Sequence, residues 1–247
     1  MLTKRQQLIL DIVVENYIEL GEPISSQFIE ENCNLGVSPA TIRNDLKKLV
    51  KEGYLDQPHT SAGRVPADKG YRYFVNKLLK KKRRLQDGRI DREIRKMEEG
   101  MEELDFLREL TGFLATMSSS LTYSYLMDKN LFWKEGFEEA FHDPEFEDIT
   151  KVHSFLEMVK KFEARFENDF FQDLERSEIR IYIGKESPLG NEDFSIMVSR
   201  YCYSHSEDGV VALLGPKRMA YDKNIAIVNS LIKILEKKYN DRQQEDR

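Results

Sequence analysis

The sequence predicts an α+β fold in two parts, residues 1–84 and 85–247, and three features carry that prediction. The first third shows apolar residues at helical spacing, interrupted by Gly and Pro turns. Strand-like runs instead cluster late, at 179–183, 194–203 and 210–214, before a last helical stripe. Charge divides the chain in the same way: residues 1–37 carry net −4, residues 38–84 net +9 and residues 85–247 net −11, within a total of −6. A basic block inside an acidic chain is the electrostatic footprint of nucleic-acid binding, although a solvated basic face without a ligand gives the same arithmetic. The order of the elements has to separate the two.

Composition sets the outer limits. With 40% hydrophobic and 33% charged residues the chain is globular, and 13 Gly and 7 Pro exclude collagen-like and Pro-rich classes. No run of about 18 apolar residues exists, so no membrane span is expected. The start, Met1-Leu2-Thr3-Lys4-Arg5, lacks the apolar core of a signal peptide, and a cytoplasmic protein is expected. Cys33 and Cys202 form neither a disulfide framework nor a zinc spacing.

From Thr3, Leu8, Ile9, Ile12, Val13 and Tyr17 recur on one helix face until Gly21. Ser25 caps a short second helix through Glu31, with Phe28 and Ile29 expected to be buried. Asn34-Leu35-Gly36-Val37 makes a turn. Ser38-Pro39 then opens a third helix, a capping hydroxyl followed by proline at the first helical position, and Gly53 closes it. Helix, short helix, glycine turn and helix is helix-turn-helix spacing.

The third helix directs Ile42, Leu46, Leu49 and Val50 inward. At 100° per residue its opposite face presents Ala40, Arg43, Asn44, Lys47 and Lys51, with Ser38 at the cap and Thr41 and Lys48 at the edge. Arg matches guanine O6/N7 and Asn matches adenine N6/N7, whereas lysines suit phosphates, which position without reading sequence. A short strand, Tyr54 to Pro58, and a return strand, Arg64-Val65-Pro66, enclose a loop. That hairpin is a wing, with His59, Thr60, Ser61 and Arg64 as candidate contacts to backbone or minor groove. A further helix ends in the basic run 80–84, either a phosphate contact or a solvated linker.

The stretches Gly-Glu-Pro-Ile-Ser-Ser (21–26), Gly-Val-Ser-Pro-Ala-Thr-Ile-Arg-Asn-Asp-Leu (36–46) and the run from Gly53 to Tyr73 resemble the HrcA family of bacterial heat-inducible transcription repressors. The likeness runs nearly unbroken through residues 1–78. A second likeness, Leu213 to Tyr221, resembles the family's Leu-Gly-Pro-Thr-Arg-Met-x-Tyr signature. The resemblance implies a winged helix-turn-helix followed by a GAF-like regulatory and dimerisation region. It also implies a homodimer on double-stranded DNA carrying the inverted-repeat CIRCE operator ahead of chaperone operons, with activity supported by a GroEL-type chaperonin. No cofactor or metal is implied. In this chain the GAF-like part is shortened: the Ser118–Tyr125 region runs almost directly through Asp128 and Trp133 to Gly136, where the family's next matching stretch begins.

Residues 87–116 are expected to form one long helix with Ile90, Ile94, Met97, Met101 and Leu104 as a coiled-coil-like seam, packed on its own domain or on a second chain. Ile149, Val152, Leu156, Val159 and Phe166 mark another helix. Ile225, Val228, Ile232, Leu235 and Tyr239 mark the last, from about Asp222. An enzyme is not expected: Cys202 and His205 sit on a strand end where they do not converge, and no phosphate-loop, dinucleotide, GxSxG or HExxH motif occurs. The competing functions are a winged helix that contacts only protein, and a ligand-responsive regulator of another operon.

Overall fold

The structure, a computed structural model, describes residues 2–59, 62–80, 88–98, 101–127, 129–165, 173–202 and 208–245. Residues divide into two compact units, Met1–Lys80 and Lys81–Arg247. Both classes of element are present, helices throughout and a sheet in the second unit, so the chain is α+β.

The first unit begins with α1 (Lys4–Leu20), held at its start by a capping box in which the Thr3 hydroxyl accepts from the Gln6 N–H, and closed by left-handed Gly21. Its buried stripe is Ile9, Leu10, Val13 and Val14, rotated from the expected one. Leu8 is exposed and Ile12 and Tyr17 are half-buried, because the helix packs against two later helices of the unit across an arc that one apolar count underestimates. Helix α2 (Ser26–Asn32) follows the Ser25 cap and buries Ile29, with Phe28 half-buried. Then come α3 (Pro39–Lys51), β1 (Leu55–Asp56), β2 (Val65–Pro66) and α4 (Asp68–Lys80). The Asp11 carboxylate holds Lys77 of α4, which raises the lysine's pKa.

The second unit centres on a five-stranded antiparallel sheet. Its strands are β3 (Leu121–Leu126), β4 (Leu131–Glu135), β5 (Ile179–Ile183), β6 (Phe194–Cys202) and β7 (Asp208–Pro216), in the order β4-β3-β7-β6-β5. Tyr123 opposes Ala212, and Ala212 opposes Val198, so these three share one face. That face is covered by α7 (Phe137–Phe141), a 3-10 turn at Pro144–Glu147 and α8 (Ile149–Glu163), through Phe146, Phe155, Met158 and Phe162. Phe146 stacks on Phe194 at 5.8 Å between ring centroids, and Phe155 meets Phe194 edge-on at 5.0 Å. The opposite face receives α6 (Glu103–Ser118), whose Thr111 hydroxyl donates to Ser124 Oγ at 2.8 Å. It also receives α9 (Tyr221–Glu245), whose Tyr221 hydroxyl lies 2.8 Å from Ser195 Oγ.

Three expectations change here. The single helix over 87–116 is two, α5 (Gly88–Glu98) and α6, and the proposed seam does not exist as one surface. Ile90 and Ile94 are buried where α5 packs on α9 of the same unit, whereas Met101 and Leu104 are exposed. The numerical heptad carries on across the break because Met101 and Leu104 keep the spacing without sharing the face. In α8 the buried residues are Phe155, Met158, Val159 and Phe162, while Ile149 and Leu156 are exposed and Phe166 lies outside the described residues. The β3–β4 hairpin, not anticipated, occupies the segment from Leu121 to Glu135.

Candidate nucleic-acid interface

Helix α3 owes its start to Ser38, whose Oγ accepts from the Thr41 N–H at 3.4 Å and lies 3.0 Å from Thr41 Oγ1, and to Pro39 in the first turn. Ile42, Leu46 and Leu49 are buried, with Val50 half-buried, so the opposite stripe faces outward. Ser38, Ala40, Arg43, Asn44, Lys47, Lys48 and Lys51 are all exposed, and Thr41 is half-buried at the edge. The structure therefore brings these eight residues onto one surface. The helix is fixed from behind by Asp45, buried on the inward side. Its Oδ2 accepts from Arg5 Nε at 2.6 Å and its Oδ1 from Gln6 Nε2 at 3.4 Å. That carboxylate raises the Arg5 pKa, chiefly through the hydrogen bond. Four cations, Arg43, Lys47, Lys48 and Lys51, repel one another on this helix, and its own C-terminal end offsets part of that repulsion. Lys48 and Lys51 sit in the last turn, where the helix dipole favours them.

The wing forms as expected, with Leu55 opposite Pro66 and Asp56 opposite Val65. Gly53 enters it with φ +75°, a conformation that favours glycine. The sequence did not disclose a third partner. Ile24, just before α2, pairs with Arg64: its N–H donates to the Arg64 carbonyl at 2.9 Å, and its carbonyl accepts from the Arg64 N–H at 2.8 Å. Gly63 allows this approach, since a Cβ there would lie 2.5 Å from the Ile24 carbonyl carbon. The wing is thus tied to the helix-turn-helix itself. Lys69 reinforces its base, donating to the Glu52 carbonyl at 2.8 Å and standing 4.2 Å over the Tyr54 ring.

Of the wing candidates, His59 is exposed, while Thr60 and Ser61 lie outside the described residues, as do residues 81–84 of the basic run. Arg64 is half-buried rather than at the tip. Its Nη1 donates to the Ala62 and Gly63 carbonyls, both at 3.2 Å, and burial lowers its pKa. Ser26 was missed. Arg43 Nε reaches its Oγ at 3.4 Å, and the only sequence signal was its place beside the Ser25 cap. No group of three or more His, Cys, Asp or Glu side chains able to hold a metal occurs among the described residues.

Two family models match the chain. Residues 29–65 match the model of the DeoR-like helix-turn-helix domain, and residues 69–225 match that of the HrcA protein C-terminal domain. The chain belongs to the HrcA family. That family comprises heat-inducible transcription repressors, which are not an enzyme class. The HrcA repressor of Brevibacillus brevis is 25% identical, with 94% of this chain and 96% of that protein covered. The HrcA repressor of Thermodesulfovibrio yellowstonii is 27% identical over 98% of this chain and 99% of its own length. Identity is concentrated in places: the Bifidobacterium animalis HrcA repressor reaches 60%, but over 78 residues, 32% of this chain and 21% of that protein. The Brevibacillus alignment spans 334 positions against this chain's 247 residues, so that relative carries sequence with no counterpart here. A crystal structure of a hypothetical protein superposes with a TM-score of 0.75, at 22% identity and covering 97% of this chain and 98% of that one, and shares the fold.

The stretch from Leu213 to Tyr221 has a structural role. Leu213 to Pro216 end β7, the Arg218 guanidinium bridges Asp143 at 2.7 Å and Glu145 at 3.2 Å, and Tyr221 opens α9 against Ser195. Burial, and then the Asp143 charge beside it, push the Glu145 carboxyl above its usual range. No helix among the described residues is long and apolar enough to cross a membrane.

Proposed function

We propose that the chain is a homodimeric repressor that binds the inverted-repeat CIRCE operator ahead of chaperone operons and is kept active by a GroEL-type chaperonin. In this reading residues 1–84 bind double-stranded DNA and residues 85–247 regulate and dimerise. The observation that supports it best is the exposed stripe on α3, where a base-reading pair, Arg43 and Asn44, stands among Lys47, Lys48 and Lys51 and faces away from the core. Arg and Asn offer bidentate hydrogen bonds to base edges in a major groove, and the lysines neutralise flanking phosphates. Ser38, Ala40 and Thr41 sit at the N-terminal end of the helix, the end that meets base edges in helix-turn-helix proteins. His59, Thr60, Ser61 and Arg64 give the wing its contacts.

An inverted repeat demands a two-fold axis in the protein. Ile94 packs inside its own unit, and in this reading the axis is assigned to another surface of residues 85–247. The deciding experiment is a gel shift of the full chain on CIRCE and on a scrambled repeat, with and without chaperonin. Retarded CIRCE at a protein concentration that leaves scrambled DNA free supports the reading, and equal affinity for both refutes it. Loss of binding in high salt separates DNA contact from a wing used only on proteins.

A further inference from the structure

Between the start of α2, the outward edge of α3 and the wing lies a cleft of about 230 Å³, whose walls include Ser26, Arg43, Lys47, Gln57 and Arg64. At roughly 30 Å³ per water it has room for several waters. Three cations line it, and no Asp or Glu does so among the described residues. Cations that share a cleft repel one another, and the arrangement is stable only if solvent or an anion compensates.

Arg64 is the informative member. Its Nη1 is satisfied by two loop carbonyls, but its Nε is buried and has no hydrogen-bond partner among the described residues. Those carbonyls are neutral, so the guanidinium is partly desolvated without a counter-charge, and burial lowers its pKa accordingly. A buried donor left unmade costs free energy that a bound acceptor recovers. On the opposite wall, the 3.4 Å contact from Arg43 Nε to Ser26 Oγ keeps a second guanidinium at the cleft edge. Guanidinium groups match phosphate oxygens in geometry as well as charge.

We propose that this cleft is a preformed niche for a single phosphodiester group, with the half-buried Arg64 as its charged floor and Arg43, Lys47 and Ser26 along its rim. The proposal rests on the DNA-binding reading above and adds to it: Arg64 anchors the backbone through charge and reads no base. The rigid Ile24–Arg64 pairing fixes the distance between this phosphate and the α3 stripe, so the niche sets the depth to which α3 enters its groove.

The chemistry is that of a phosphate oxyanion, and two arms distinguish its source. In the first, the full chain is titrated with inorganic phosphate while the side-chain Nε–H signals of the arginines are followed by NMR. The Arg64 signal, identified by its absence in Arg64→Gln, is expected to shift and saturate. In the second, affinity for CIRCE and for scrambled DNA is measured against salt for the wild type, Arg64→Gln and Arg64→Lys. Glutamine keeps an amide donor for the loop carbonyls and removes the charge, whereas lysine keeps the charge. Arg64→Gln is expected to flatten the slope of log K against log salt by about 0.9 on both DNAs, as one lost phosphate contact requires, and Arg64→Lys to restore it. An unchanged slope in Arg64→Gln overturns the proposal, as does a slope that stays flat in Arg64→Lys. A saturating Arg64 shift with an unchanged slope also overturns it, because the niche then takes free phosphate and not DNA. If the wild type binds neither DNA at any salt, the DNA-binding reading itself has failed, and that outcome is visible before any variant is compared.

Discussion

Arg43 and Asn44 stand one residue apart in sequence from the buried pair Ile42 and Asp45, and that alternation is what lets them change without disturbing the core. Arg43→Ala or Asn44→Ala should each cost about 1–3 kcal/mol of affinity for the operator and leave the melting temperature unchanged. Anisotropy titrations on CIRCE and scrambled DNA check this, and an equal loss on both would remove the base-reading role. Lys47→Ala or Lys51→Ala should instead weaken both DNAs alike and flatten the salt slope by roughly one. A different kind of residue lies in the second unit. Asn224 is buried on α9, and neither its Nδ2 nor its Oδ1 has a hydrogen-bond partner among the described residues. Asn224→Leu replaces an unsatisfied amide by an apolar group of similar size. It should stabilise by about 1–2 kcal/mol, or roughly 2–8 °C in Tm at this size. A lower Tm in a calorimetric scan would show that the amide is satisfied in solution.

Elements were readable from sequence where local chemistry alone decides them. Thr3, Ser25 and Ser38 cap their helices, Pro39 sits in the first turn of α3 and Gly21 and Gly53 end runs, and all do so through backbone constraints that do not depend on distant packing. The candidate stripe on α3 was readable for the same reason. What long-range packing decides was not readable. Strand β3 alternates Leu121, Tyr123 and Tyr125 with Thr122 and Ser124, but over only five residues, and β4 is mostly exposed and does not alternate. The Ile24–Arg64 tie joins residues far apart in sequence and leaves only Gly63 as a trace. The seam of Ile90, Ile94, Met101 and Leu104 failed because spacing cannot reveal a break between α5 and α6. The altered assignment makes its own prediction. Ile94→Asp puts a charge into the contact between α5 and α9, at a cost on the order of 4 kcal/mol or more. It should lower the midpoint of urea unfolding; a normal midpoint with a halved mass in light scattering would return Ile94 to a subunit interface.

At the scale of the whole molecule, the division at Lys80 separates a helical unit stabilised by local caps from a sheet unit built on contacts between remote segments. Domains of the second kind fold more slowly, since loop closure precedes the contacts that reward it. The proposed chaperonin dependence belongs to that unit. After dilution from denaturant, operator binding should recover further with chaperonin and ATP than without. Complete recovery without them, kept through a heat pulse, would make the repressor self-sufficient.

The sheet order β4-β3-β7-β6-β5 also dictates a timetable for a chain made from its N-terminus. When Leu126 leaves the ribosome, the segment that will pair along the far side of β3, Gly209 to Leu214, has yet to be synthesised. At 5–20 residues per second, the interval is roughly 4–18 s. Throughout it, β3 and β4 can exist only as a hairpin whose inner strand, destined for the middle of the sheet, lies open along one edge. Such an edge is a template for pairing with other chains. The nascent protein is therefore most vulnerable in the middle of its own synthesis, and what shortens that interval or shields that edge sets the yield of repressor.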